Sequence, residues 1–144
     1  MSTKKEKEEQ FDWWITCIPD KINALEEKLP PEISVRLDYT VDSLDILERF
    51  LLNTTSLIKI QKDKELWDNC ASYIGVVYEK NVPTSKWYIE LEDEKDVFYN
   101  MPCLKTKNNL MFVPHSEITA ALDRNKGTFL SSLTKKHIEI INKL

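Results

Sequence analysis

Two histidines and three cysteines are the only imidazoles and thiols in this 144-residue chain. They are the first places to look for nucleophilic or metal chemistry. Cys17, Cys70 and Cys103 are widely spaced and form no CxxC pair. A zinc ribbon or a thioredoxin-type redox site is therefore unsupported, and the three read as small core fillers. His137 falls on an apolar stripe and reads as a packing histidine. His115 follows Pro114 in a turn and is either a surface residue or an N-terminal helix residue. Together with Glu117, Asp123 and a strand-end residue such as Tyr99, it is the best available starting point for a small hydrolase or ligand site. The two glycines, Gly75 and Gly127, cannot build a P-loop or a dinucleotide fingerprint. No cofactor and no metal is predicted.

The second group is acidic. Glu90, Glu92, Asp93, Glu94 and Asp96 crowd into seven positions without the glycine and spacing of an EF-hand loop. They read as a solvated hairpin tip whose charge can also steer a basic protein toward it. Tyr88 and Tyr99 point off the outer face of their strands. With Glu90, Glu92, Asp93 and Glu94 they form the candidate binding surface. Among the tryptophans, Trp14, Trp67 and Trp87 fit apolar stripes, and Trp13 either packs on a helix flank, the expected reading, or is exposed as an interface anchor.

Whole-chain composition narrows the class. Twenty Lys+Arg against 24 Asp+Glu give a net charge of −4, so a general nucleic-acid binder is disfavoured. With 42% hydrophobic residues the chain can bury a core. No apolar run is long enough to span a membrane. The opening MSTKKEKEEQ lacks the apolar stretch of an export signal, and with the odd cysteine count this predicts a cytoplasmic setting.

The elements that must position these residues follow from periodicity. Residues 1–9 carry no apolar period and either fray or form a solvated helical turn. Phe11, Trp14, Ile15 and Ile18 repeat at helical spacing. Pro19 breaks or restarts that helix, and Asp20 is placed to cap a second piece carrying Ile22, Leu25 and Leu29. Ile33, Val35, Leu37 and Tyr39 alternate as a short strand or pinned linker. Asp42, with Asp45, is an expected cap for a helix carrying Leu44, Leu47, Phe50 and Leu51. A further helix lies within 57–74, with Gly75 as its exit. Val76–Tyr78, Lys86–Leu91, Val97–Leu104 and Leu110–Val113 then read as short strands of an antiparallel meander. Ser116 and Thr128 are expected caps of two C-terminal helices. The expected fold is one α+β domain over residues 1–144, with N-terminal helices, a central antiparallel sheet of about four strands, and C-terminal helices.

Two segments carry a family resemblance. Leu37-Asp38-Tyr39-Thr40-Val41-Asp42-Ser43-Leu44 leads into a helix. Ala71-Ser72-Tyr73-Ile74-Gly75-Val76-Val77, followed by Lys86-Trp87, resembles a helix-to-strand junction. Together they resemble a loose group of small bacterial α+β proteins of unknown function, some of which are similar to immunity proteins that inhibit toxins. The resemblance covers roughly residues 37–130. It implies a fold and a bacterial cytoplasmic setting, and it supplies no catalytic residues. Two functional readings follow: a non-enzymatic domain that binds a protein partner of basic character, or a small hydrolase or ligand-binding domain centred on His115.

Overall fold

The computed structural model describes residues 2–144. Two helices come first, α1 (Lys4–Thr16) and α2 (Ile18–Lys28), followed by the short α3 (Pro31–Ser34). Next come α4 (Ser43–Thr54), α5 (Leu57–Lys62) and the long α6 (Lys64–Asn81). Strands β1 (Lys86–Tyr88), β2 (Cys103–Lys105) and β3 (Met111–Phe112) follow, and α7 (Pro114–Arg124) and α8 (Phe129–Asn142) complete the fold. The sheet is antiparallel in the order β1-β2-β3, with Trp87 opposite Leu104 and Leu104 opposite Phe112. The α+β class holds in its broad form, but helices dominate and the sheet has three strands rather than about four.

Helix α6 is the axis of the core. Asn69 to Gly75, Val77 and Tyr78 are all buried, and α2, α5 and α7 pack around it. The helix does not stop at Gly75. Cys70, Ile74, Val77 and Tyr78 keep the helical period, and burying that stripe outweighs the strand preference of two valines and a tyrosine. Gly75 serves a different purpose. A Cβ built there would lie 2.3 Å from Cη2 of Trp87, so the glycine is the seat of the indole ring. Trp87 thus packs on the middle of α6, and the helix exit expected at Gly75 does not occur.

Other expectations are revised for equally local reasons. Residues 33–39 form no strand. Pro30 and Pro31 start α3, since proline suits the first helical turn. The chain then turns through Tyr39 at φ 66°, where the buried Tyr73 hydroxyl accepts the Tyr39 N–H at 3.1 Å. Residues 97–99 form turns, not a strand. Residues 4–9 belong to α1, capped by Thr3 and Glu6 in a reciprocal capping box, while Met1 lies outside the described residues. Cys17, not Asp20, sits at the start of α2.

Three expected caps are replaced. Asp42 makes no capping bond, and Thr40 Oγ1 accepts the Ser43 N–H instead. Val113 rather than Ser116 precedes α7, and Glu117 Oε2 accepts the Val113 N–H at 3.1 Å. Thr128 gives no side-chain bond to α8. Its place is taken by Glu48, reaching over from α4. Glu48 accepts the N–H groups of Phe129 at 3.0 Å and Leu130 at 2.8 Å. Among the described residues, no helix is long and apolar enough to cross a membrane.

Candidate functional site

The acidic segment lies in the connection between β1 and β2. Glu90 organises it from inside. Its Oε1 accepts the Tyr88 hydroxyl at 2.9 Å, and its Oε2 accepts the N–H groups of Glu92 and Asp93 at 2.8 and 3.1 Å. The two backbone N–H bonds, with the tyrosine bond behind them, hold the Glu90 carboxyl below its ordinary value. The same tyrosine bond pushes the Tyr88 phenol up. The Asn100 N–H closes the loop onto the Glu90 carbonyl at 2.9 Å. Asp93 and Asp96 each accept an N–H two residues ahead, from Lys95 and Phe98. These Asx turns use the carboxylates as backbone acceptors and leave them exposed.

Helix α1 pins this loop from the side. Lys4 pairs with Glu92, and Lys7 Nζ donates to the Tyr99 hydroxyl at 3.0 Å while lying over its ring. Lys4 and Lys7 are one helical turn apart, so one face of α1 meets both ends of the loop. Glu92 and Tyr99 are thereby tied into the protein. Asp93, Glu94 and Asp96 remain outward, and Val97 beside them is 81% exposed. Of the six residues expected to form a binding surface, Tyr88, Glu90 and Tyr99 build the loop, Glu92 is bridged to Lys4, and Asp93 and Glu94 are presented by it.

The histidine readings divide. His137 is buried on α8, and its Nδ1 lies 2.6 Å from the Tyr78 hydroxyl. Burial pulls its pKa below the ordinary value, as expected of a packing histidine. His115 does not meet Glu117 or Asp123. Glu117 is held by the Val113 N–H, and burial pushes its carboxyl up. Asp123 is exposed, two helical turns further along α7.

The partner of His115 is Asp68 of α6. Asp68 Oδ1 accepts the His115 Nε2–H at 2.9 Å and the Trp14 Nε1–H at 2.8 Å. Its Oδ2 lies 3.2 Å from Lys21 Nζ, which sits 3.9 Å above the Trp14 ring. Burial pushes the carboxyl up, but His115, Trp14 and Lys21 outweigh it and hold Asp68 at about 2. An ionised carboxylate only accepts, so Nε2 carries the proton and Nδ1 faces inward without a partner. Burial also pulls Lys21 down, because one carboxylate does not repay its lost solvation.

This cluster joins α1, α2, α6 and α7 at one point. Trp67 adds a bond from its Nε1–H to the His115 carbonyl at 2.9 Å. Hollows of about 600 and 260 Å³ flank it. Among the described residues, no serine, threonine or cysteine lines either hollow. Cys70 and Cys103 are buried, and burial pushes both thiols up to about 12, so neither is a thiolate near neutral pH. Trp13 does not pack on a flank: it is 68% exposed on the outer side of α1.

No family model matches this chain. No curated protein and no solved structure is significantly similar to it.

Proposed function

We propose that this chain is a protein-binding domain that docks a basic partner through the acidic loop between β1 and β2. Its most concrete form is an immunity-type inhibitor acting in a bacterial cytoplasm. The observation that carries the reading is the construction of the loop. It is closed by Asn100 and Glu90, braced on α1 by Lys4 and Lys7, and still presents Asp93, Glu94, Asp96 and an exposed valine to solvent. A loop ordered before binding loses little conformational freedom on docking. Its unneutralised carboxylates would raise the association rate toward a positively charged surface.

The test is a paired affinity capture from a lysate of the source organism, using the wild-type chain and the Asp93→Lys/Glu94→Lys variant. The expected result is a single stoichiometric basic protein that survives a moderate-salt wash on the wild type and is lost from the variant. The variant should keep its fold, because both positions are exposed. Equal retention by both chains would move the interface elsewhere.

A second reading has one observation behind it: the His115–Asp68 pair opens between two hollows. A ligand taken there would be recognised by hydrogen bonding to the polar groups that line the hollows, His115 and Asp68 among them. His115→Ala should abolish any ligand-induced thermal shift that belongs to this site.

A further inference from the structure

A different face of the molecule is built for the opposite charge. Along β1, Trp87 turns inward onto Gly75, so Lys86 and Tyr88 share the outer face. The register places Lys86 directly opposite Lys105 on β2. Two like charges facing each other across neighbouring strands repel, and sheets normally avoid the arrangement. Lys107 follows two positions after Lys105 and adds a third cation. None of the three is in an ion pair among the described residues.

These lysines surround a hollow of about 550 Å³ that Trp87 and Tyr88 also line, with no carboxylate among the described residues of its wall. The volume falls within the range of about 300–1,000 Å³ typical of small-molecule sites. The wall is held in place from several directions. Lys105 Nζ lies 4.5 Å from the Tyr88 ring centroid, and the Tyr88 hydroxyl is fixed by Glu90. Thr84 enters at φ 64°, a left-handed angle that a β-branched residue rarely adopts. In that conformation its Oγ1 accepts the Lys107 N–H at 3.1 Å, leaving the hydroxyl proton free to donate into the hollow.

From this we infer that the hollow at the start of β1 and end of β2 is a binding site for a phosphorylated small molecule. Lys86, Lys105 and Lys107 supply charge, the Thr84 hydroxyl supplies a donor, and the Trp87 and Tyr88 rings supply apolar wall. A dianionic phosphoryl group between Lys86 and Lys105 converts their repulsion into two charge-assisted contacts. Two ring surfaces beside it suit a flat organic body. The site shares Tyr88 with the acidic loop, but Thr84, Lys86, Trp87, Lys105 and Lys107 lie outside residues 90–96, and the inference does not depend on the protein-binding reading.

The test follows the backbone amide resonances of the full chain during titration with inorganic pyrophosphate and with adenosine diphosphate. Shifts are expected in residues 84–88 and 105–107, saturating below about 10 mM for both probes. The Lys86→Met/Lys105→Met variant should bind at least about tenfold more weakly, while Lys62→Met on α5 should bind as the wild type does. Amide spectra of the free variants report whether each is folded. Absence of shifts at about 10 mM of either probe would overturn the inference, as would unchanged affinity in the folded double variant. Affinity confined to single-stranded oligonucleotides and growing with their length, with pyrophosphate inert, would replace it with nucleic-acid binding.

Discussion

Glu48 and Asp68 are both carboxylates drawn into the protein to accept two N–H bonds, yet their acidities move in opposite directions. Glu48 is 1% exposed and faces the first turn of α8. No cation pairs with it among the described residues, and Asp45 lies close enough to add repulsion. Burial therefore wins over the two backbone N–H bonds, and its carboxyl is pushed up. Asp68 retains a side-chain exposure of 32% and has Lys21 beside it. Burial opposes ionisation there too, but His115, Trp14 and Lys21 overcome it. The lesson is that hydrogen bonds to a buried carboxylate satisfy it, whereas a neighbouring cation and partial solvation decide whether it stays charged. Glu48 behaves as a structural plug. Asp68 is a charged hub to which three other helices are fastened.

Removing Glu48 should destabilise the protein most. Glu48→Ala leaves two buried N–H groups of α8 without acceptors and opens a cavity. A loss of about 3 kcal/mol in urea unfolding is expected. Asp68→Ala should cost less, about 2 kcal/mol, because water can reach part of the vacated site. It should also alter the Trp14 emission, since that indole loses its acceptor. If both variants unfold at the same urea concentration, the distinction between plug and hub fails.

Acid titration separates the two by sign. The folded Asp68 pKa lies below its unfolded value. Its contribution is therefore present above about pH 4 and lost as pH falls toward about 2. Glu48 is raised, so the native state binds a proton first. Its contribution improves as pH falls through the raised pKa toward the unfolded value. In chemical unfolding across pH, Asp68→Asn should flatten the acid limb between about pH 4 and 2. Glu48→Gln should leave that limb and remove the gain just above it. Lys21→Met is the smallest test. It should cost under about 1 kcal/mol near neutral pH, while moving the acid limb upward because Asp68 loses its cation. An unmoved limb would assign the low Asp68 pKa to Trp14 and His115 alone.

Much of the helical architecture was legible because burial at a 3.6-residue period is a local pattern. The stripes of α2, α4, α7 and α8 can be read from residue spacing, and Trp87 reads as a core residue, whereas Gly75, read as a helix exit, lies inside α6 under the Trp87 indole. The errors fall where a distant partner decided the outcome. Val76–Tyr78 favour strand by themselves, but Tyr78 lies inside the core against Phe112 and His137, so α6 runs on. Thr128 has the composition of a cap, but Glu48, eighty residues earlier, occupies the position. The acidic cluster was visible as composition. Its bracing by Lys4 and Lys7 was not, because the sequence gives no sign that α1 lies beside it. Asp68 carried no sign at all, being one polar residue on the polar side of a helix.

What the sequence determined by itself is therefore the set of amphipathic helices, the acidic balance, the concentration of carboxylates at 90–96 and the lack of glycine-rich or CxxC motifs. These are consequences of residue type and near-neighbour spacing, which act over a few residues. The tertiary structure alone decided the rest. It set where α6 ends, which carboxylates meet cations, which face of β1 gathers lysines and which acids of the loop remain free. Each of those depends on charge and burial between segments separated by tens of residues, and neither Coulomb's law nor desolvation respects order along the chain.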